Sequence, residues 1–234
     1  MRKINFTEGE YYHIYNRGVD KRTIFSSNSE YNRFLGYLYL LNTQGSVKAE
    51  AIFSGRKNNG KSIFSIKIED QLVAIGAYCL MPNHFHILVT PLVDGGVSKF
   101  MQRLQTAYTM YFNEKHKRSG SLLQGTYKAQ HVDKDQYLKY LFAYIHLNPA
   151  KLFDPRWKED GVKNLKKLKK QIMEYPYSSI HDYTSSNFTI LNPRPFPKYF
   201  EMSTDFESQI LFWLSFKDKI HNLRGLASQV MHST

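Results

Sequence analysis

The pattern of apolar and polar residues predicts alternating strands and helices over the first 150 residues. The segment 11–15 (YYHIY) is typical of a strand and leads into turn-forming residues. Apolar residues at helical spacing predict an amphipathic helix over 29–41. Two further stretches, 46–54 and 62–69, flank an Asn59-Gly60 pair and predict a β-hairpin.

The elements that follow are longer and more apolar. They are predicted strands at 71–80 and 84–90, a long helix over 97–116 and an extended segment at 122–132. Asp133 and Gln136 have the spacing of a capping box, which predicts that a helix of about 14 residues begins there and ends at Asn148.

This order of elements predicts an α+β fold. Antiparallel hairpins with helices packed on one face are typical of a ferredoxin-like sheet. The character of the chain changes after residue 150, where turn-rich segments and a basic stretch from Lys163 to Lys170 appear. We expect a core domain at 1–150 and a basic C-terminal extension at 151–234 packed on it, with a last helix over roughly 205–220.

Composition and charge narrow the function. The 234 residues carry a formal net charge of +12, and aromatic residues make up 15%. Cations interleaved with flat rings indicate a single-stranded nucleic acid partner. We expect no membrane span and no secretory signal, because no apolar run is long enough. Cys79 is the only cysteine, which excludes an internal disulfide and favours a cytoplasmic protein.

His84-Phe85-His86 is the sharpest chemical feature of the sequence. On a strand, residues two apart face the same side, so both imidazoles would project together while Phe85 enters the core. Two neighbouring neutral imidazoles suit a divalent metal ion. The alternative is a pair of partly exposed strand histidines without a function.

A second feature lies on the helix that ends at Asn148. Tyr137, Tyr140 and Tyr144 recur there at helical spacing, and a stripe of core tyrosines would explain them equally well. Tyr144 lies one turn before Asn148, which would bring a phenol and an amide oxygen together. Spacing alone does not choose among the three tyrosines.

Four segments in order give the chain a family resemblance: YYHIYNRG, CLMPNHFHILV, LLQGTYKAQHVD and YLKYLFAYIHLNPAKL. Together they resemble the REP-associated tyrosine transposases, which belong to the single-tyrosine HUH transposases of IS200-like elements. The similarity covers about residues 8–152, and YPYSSIHDY at 175–183 resembles a downstream segment of the family. The region 45–70 looks longer than in compact members.

The resemblance implies a metal-dependent enzyme that nicks and rejoins single-stranded or hairpin DNA. His84 and His86 match the HUH histidines and would hold Mg²⁺ or Mn²⁺. Tyr144 matches the nucleophilic tyrosine, which would form a 5′-phosphotyrosine intermediate, and Asn148 matches a third, amide-type ligand.

Basic residues outside these motifs are candidates for DNA binding, although a solubilising surface would explain any one of them. The candidates are Arg17, Lys99, Arg103, Lys115, Lys117, Arg118 and Lys128.

Two other functions remain open at this point. One is a catalytically silent regulator of the same fold that binds hairpin DNA or RNA. The other is a hydrolytic metal-dependent phosphoesterase, for which the sequence offers no clear carboxylate cluster near the histidines. The sequence also leaves open whether the protein is a monomer or a homodimer.

Overall fold

The structure is a computed structural model that describes residues 4–55 and 62–198. Its strands are β1 (Tyr11–Arg17), β2 (Val73–Met81), β3 (His84–Pro91) and β4 (Lys128–Val132). Its longer helices are α1 (Asn28–Leu40), α3 (Gly96–Lys115), α4 (Asp135–Leu147) and α7 (Leu165–Met173). Its short helices are α2 (Ala49–Phe53), α5 (Ala150–Phe153), α6 (Trp157–Asp160) and α8 (Ile180–Ser185). No helix in these two ranges has the length and apolar character that crossing a membrane requires.

The four strands form one antiparallel sheet in the order β2-β3-β1-β4. With α1 after β1 and α3 after β3, this is the ferredoxin-like arrangement that the sequence predicts. β2 is buried along its whole length, which explains its continuous apolar run. β1 is central, so its residues have neighbours on two strands.

The two faces of the sheet pack against different helices. Phe85 of β3 contacts Phe34 of α1, with ring centroids 5.0 Å apart, and Phe34 contacts Tyr108 of α3 at 4.9 Å. On the next residue of β3, His86 faces the other way and contacts Tyr144 of α4. The helix that the sequence analysis grouped with the others therefore covers the opposite face, which leaves room for a site between α4 and the sheet.

The predicted hairpin at 46–54 and 62–69 is wrong. Residues 49–53 form the helix α2, and the second stretch contains a short 3₁₀ turn at Ile63–Ser65 and no strand. Ala-Glu-Ala is a strong helix former, and Glu50 is held by Arg33 of α1, whose Nη1 donates to it at 3.0 Å. The Asn59-Gly60 pair lies outside the described residues.

The predicted capping box before α4 is also wrong. The N-cap residue is Lys134, and its side chain makes no capping hydrogen bond. Asp133 lies one residue too early to accept from the first turn. The helix still begins within two residues of the predicted position, because its apolar face packs on the sheet.

Segment 175–179 lies along the outer edge of the sheet. Leu80 of β2 donates its backbone N–H to the Tyr177 carbonyl at 2.9 Å, and Ser179 donates to the Tyr78 carbonyl at 3.0 Å. On the inner side, the Ser179 hydroxyl is 2.8 Å from Nε2 of the buried His146 on α4. The segment therefore covers an edge that would otherwise be unpaired and ties it to α4. The helix predicted at 205–220 lies outside the described residues.

Candidate functional site

Strand alternation places a group of polar side chains on the face of the sheet that α4 covers. Tyr15 of β1 is directly opposite His86 of β3, and His13 and His84 lie on the same face two residues away along their strands. On the other side of β1, Lys128 of β4 is opposite Tyr15. His84 and His86 therefore share one face, as their spacing predicts, and α4 covers that face.

Three histidine rings lie side by side on this face. The ring centroids of His84 and His86 are 5.1 Å apart. His86 Nδ1 is 2.9 Å from Nε2 of His13, and both of these rings are buried. One hydrogen bond therefore joins the HFH motif to the first strand of the protein.

Asn83 fixes the tautomer of His84. The Asn83 amide nitrogen donates to the Lys21 carbonyl at 3.2 Å, which turns its Oδ1 toward His84. This oxygen is 2.6 Å from His84 Nδ1, so Nδ1 must carry the proton. The lone pair of a neutral His84 is therefore on Nε2.

Asn148 lies between His84 and Tyr144. Its Nδ2 donates to the Tyr144 backbone carbonyl at 2.9 Å, and this bond leaves Oδ1 free for other contacts. The Asn148 side chain also interacts with His84 and favours a higher pKa of this imidazole, although burial outweighs this effect. Asn148 therefore links the HFH motif to the part of α4 that carries Tyr144.

The structure distinguishes the three tyrosines of α4. Tyr144 lies closest to the histidines, with its ring centroid 5.5 Å from that of His86 and 6.3 Å from that of His13. The Tyr137 hydroxyl instead donates to Gln130 Oε1 at 3.0 Å, and Tyr140 stacks between the other two rings at 6.1 Å from each. Of the three, Tyr144 is the one positioned for chemistry with the histidines.

Burial sets the protonation of these groups. It raises the pKa of Tyr144 to about 12, and the side chain of Asn148 opposes this rise. It lowers the pKa of His84 to about 4, that of His13 to about 3 and that of His86 well below its ordinary value. At neutral pH all three imidazoles are therefore neutral and the phenol keeps its proton.

These donors are of the kind that binds a divalent cation, but they are too few to complete its coordination shell. Neutral imidazole nitrogens and an amide oxygen are metal ligands, and His84, His86 and Asn148 supply both kinds. Within 4–55 and 62–198, however, no three His, Cys, Asp or Glu side chains are grouped so that they could hold a metal ion. Oxygen atoms from water or substrate would have to complete the coordination shell.

A cleft of about 330 Å³ opens above the histidines. Arg17, Lys21 and Lys128 line it, together with the rings of Tyr15 and the three α4 tyrosines. Arg17 is held in place by Gln124, whose Oε1 accepts from Arg17 Nε at 2.6 Å. Cations and aromatic rings therefore surround the same space as the histidines and Tyr144.

The other predicted DNA-binding residues do not line this cleft. On α3, Lys99 and Arg103 donate to the carbonyls of Gln44 and Thr43 at 3.0 and 2.6 Å. Lys115 is paired with buried Glu30 at 2.8 Å. Arg118 donates to Asn113 and Ser121, and Lys117 is an exposed turn residue. Their role in DNA binding remains a prediction.

Several residues of the site escaped the sequence analysis. His13 is two residues before Tyr15 and four before Arg17, so strand alternation could have placed it on the same face. Lys21 and Asn83 come from turns, where no periodicity applies. Beyond Tyr144, a smaller pocket is lined by Lys151, Trp157 and Lys158, whose Nζ is 5.1 Å from the Tyr144 ring centroid.

The fold and the site together define a ferredoxin-like α+β protein with paired histidines and a half-buried tyrosine at a basic cleft. Residues 45–148 match the family model described as "Transposase IS200 like". This part of the chain is therefore similar to the IS200-like transposases. The matched range contains His84, His86, Tyr144 and Asn148, whereas β1 with His13 and Arg17 precedes it.

No curated protein is found to match the chain in sequence. Among solved structures, the chain is similar to a REP-associated tyrosine transposase bound to a REP hairpin. The two share 14% sequence identity with a TM-score of 0.48, and the alignment covers 84% of this chain and 90% of the other.

Proposed function

We propose that this protein is a transposase, a metal-dependent enzyme that nicks and rejoins single-stranded DNA through a covalent bond to Tyr144. One observation carries the proposal: Tyr144 lies beside His86 and the Asn148–His84 pair, at the base of a cleft lined with cations and rings. The family match over 45–148, which spans all four residues, supports it.

His84, His86 and Asn148 would hold the cation, Mg²⁺ or Mn²⁺. When bound, a divalent cation would polarise an oxygen of the scissile phosphate and offset the charge that develops in the transition state. Asn83 keeps the proton of His84 on Nδ1, so that Nε2 is available as a ligand.

Tyr144 would attack the scissile phosphorus with its phenol oxygen. The new Oη–P bond replaces the P–O3′ bond, the phenol loses its proton, and the departing 3′ oxygen gains one. Because one phosphodiester replaces another, a second 3′ end can reverse the step without an external energy source. The pKa of about 12 means that this oxygen is protonated until positive charge lies next to it.

The substrate class follows from the cleft. Arg17, Lys21 and Lys128 would contact phosphates, and the tyrosine rings would stack on unpaired bases. A duplex does not expose base faces in this way, so we propose a single strand, presented beside a hairpin as the family resemblance implies.

A covalent-adduct assay tests the proposal. Wild-type protein is incubated with labelled single-stranded hairpin DNA and Mn²⁺, and products are separated on a denaturing gel. We expect an SDS-resistant adduct on the 5′ phosphate that EDTA abolishes.

Tyr144→Phe should form at least ~100-fold less adduct, since Tyr144 is the α4 tyrosine nearest the histidines. Tyr140→Phe is the matched control, because it removes the neighbouring hydroxyl of the same stack and should keep adduct formation.

Two outcomes would contradict the proposal. An adduct that persists in Tyr144→Phe would show that another residue is the nucleophile. Tight DNA binding without an adduct in the wild type would favour the silent, hairpin-binding regulator.

A further inference from the structure

We infer that His13 is a positioning residue for His86: its Nε2 accepts a hydrogen bond from Nδ1–H of His86 and keeps the Nε2 lone pair of His86 turned into the cleft. This inference rests on the proposed function, in which His86 is a metal ligand. His13 would not touch the cation or the DNA phosphate, and it would act only through the ring of His86.

Geometry supports this arrangement. The two ring nitrogens are 2.9 Å apart, the ring centroids are 5.0 Å apart and the ring planes differ by 23°, so the rings meet nearly edge to edge, as an N–H···N hydrogen bond requires. Both rings are buried, and His13 is on the central strand, paired with β3 on one side and β4 on the other. His13 is therefore rigidly held beside the ring that it orients.

The direction of the hydrogen bond between His13 and His86 decides whether Nε2 of His86 can bind a cation. A neutral imidazole has one N–H, so only one of the two rings donates to the other. If His86 donates from Nδ1, its Nε2 is bare and can bind a cation. If His13 donates instead, the proton of His86 is on Nε2, where it blocks the ligand position.

Asn83 and His13 would then do the same work for the two histidines of the motif. The Asn83 Oδ1 accepts from Nδ1 of His84 at 2.6 Å, and His13 Nε2 accepts from Nδ1 of His86 at 2.9 Å. Each partner leaves Nε2 unprotonated. Two unprotonated Nε2 atoms on one strand form a better cation site than a pair in which one Nε2 carries a proton.

Tautomer state is measurable without metal, DNA or turnover. We would label the histidines of the full chain with ¹⁵N and record long-range ¹H–¹⁵N spectra, with His86 assigned by comparison with His86→Gln. The expected result for the wild type is a protonated Nδ1 and a bare Nε2 on His86. A proton on Nε2 of His86 would overturn the inference.

Variants at His13 provide the second measurement. His13→Gln keeps a strong acceptor at this position, whereas His13→Met has a similar size and only a weakly accepting sulfur. We expect His13→Met to bind Mn²⁺ ~10- to 100-fold more weakly by calorimetry and His13→Gln to retain most of the affinity. His131→Met is the control, because His131 is a strand histidine that contacts Glu10 outside the cleft. Equal Mn²⁺ affinity in wild type and His13→Met would overturn the inference.

The two proposals fail separately. If the wild type forms no adduct but Mn²⁺ affinity and the His86 tautomer depend on His13, the proposed function falls and the positioning role stands. If the wild type and His13→Met form adduct equally and bind Mn²⁺ equally, the proposed function stands and the positioning role of His13 falls.

Discussion

Basic side chains have different roles in this protein, and Lys115 shows this most clearly, because it forms an ion pair inside the fold. Its charge suggests a DNA contact, yet Nζ donates to the buried carboxylate of Glu30 at 2.8 Å. Burial alone would raise the pKa of Glu30, but hydrogen bonds from Lys115, Ser26 and His116 outweigh it and lower the pKa to about 2. The structure therefore favours a role in stability.

Replacing Lys115 should destabilise the fold more than it weakens DNA binding. Lys115→Met removes one charged partner of a buried carboxylate, and we expect a loss of about 2 kcal/mol in the free energy of unfolding at pH 7. Urea denaturation measures the loss, and Lys117→Met, on the neighbouring exposed turn, is the control. A stable Lys115→Met protein with much weaker DNA binding would restore the original prediction.

The same carboxylate predicts an acid dependence. The pKa of Glu30 is lowered from 4.5 to about 2 on folding. Its contribution to stability is therefore complete above the unfolded-state pKa and is lost as the pH falls from 4.5 toward 2. The difference in stability between wild type and Glu30→Gln should shrink over this range. A difference that stays constant between about pH 7 and about pH 2.5 would contradict the assignment.

At the scale of elements, the two faces of the sheet should differ in their contribution to DNA binding. Arg17 lines the cleft, whereas Lys99 is on α3, which packs on the other face, and is bonded to the Gln44 carbonyl. Arg17→Gln should reduce the slope of log K against log salt by about 0.7 for each phosphate that the variant no longer neutralises. Lys99→Gln should leave the slope unchanged. Fluorescence anisotropy with a single-stranded oligonucleotide over a salt series makes the comparison, and equal slopes for both variants would refute it.

The contribution of segment 175–179, which lies along the outer edge of β2, to stability can be tested separately. Ser179 bonds both the backbone of Tyr78 and the buried Nε2 of His146. Ser179→Ala removes one hydrogen bond from each of these two buried groups, so we expect a loss of about 1–3 kcal/mol in unfolding free energy. Ser178→Ala is the matched control, because its hydroxyl makes one long contact, at 3.4 Å, with the Ile180 N–H. Equal losses would argue against the role of Ser179.

Helices and strands were predictable from the sequence where burial requires apolar residues at a regular spacing. β2, β3 and α3 each have a continuous apolar run or stripe, and their bounds match the predictions within two residues. The stretch at 46–54 has neither, and its Ala-Glu-Ala segment forms the helix α2, in which Glu50 also accepts a hydrogen bond from Arg33 of α1. Such contacts are not visible in a local pattern.

At the scale of the whole molecule, the net charge of +12 predicted an acidic partner but not where it would bind. The lysines of α3 and those of the cleft look alike in sequence, and only the packing of α3 and α4 on opposite faces of the sheet separates them. The HFH pair and the Tyr144–Asn148 spacing were predictable, since strand and helix periods place each pair on one face. That these two pairs meet, and that His13 joins them, depends on long-range packing between α4, β3 and β1.

The link between His146 and Ser179 has a mechanical consequence. His146 lies between Tyr144 and Asn148 on α4, and it is bonded on the side away from the cleft. A DNA strand joined to Tyr144 would be attached to a helix that is fastened at its back to the sheet edge. Tension along that strand would pass through α4 into the sheet, so the attached end and Asn148, the proposed ligand, would keep their relative positions under load.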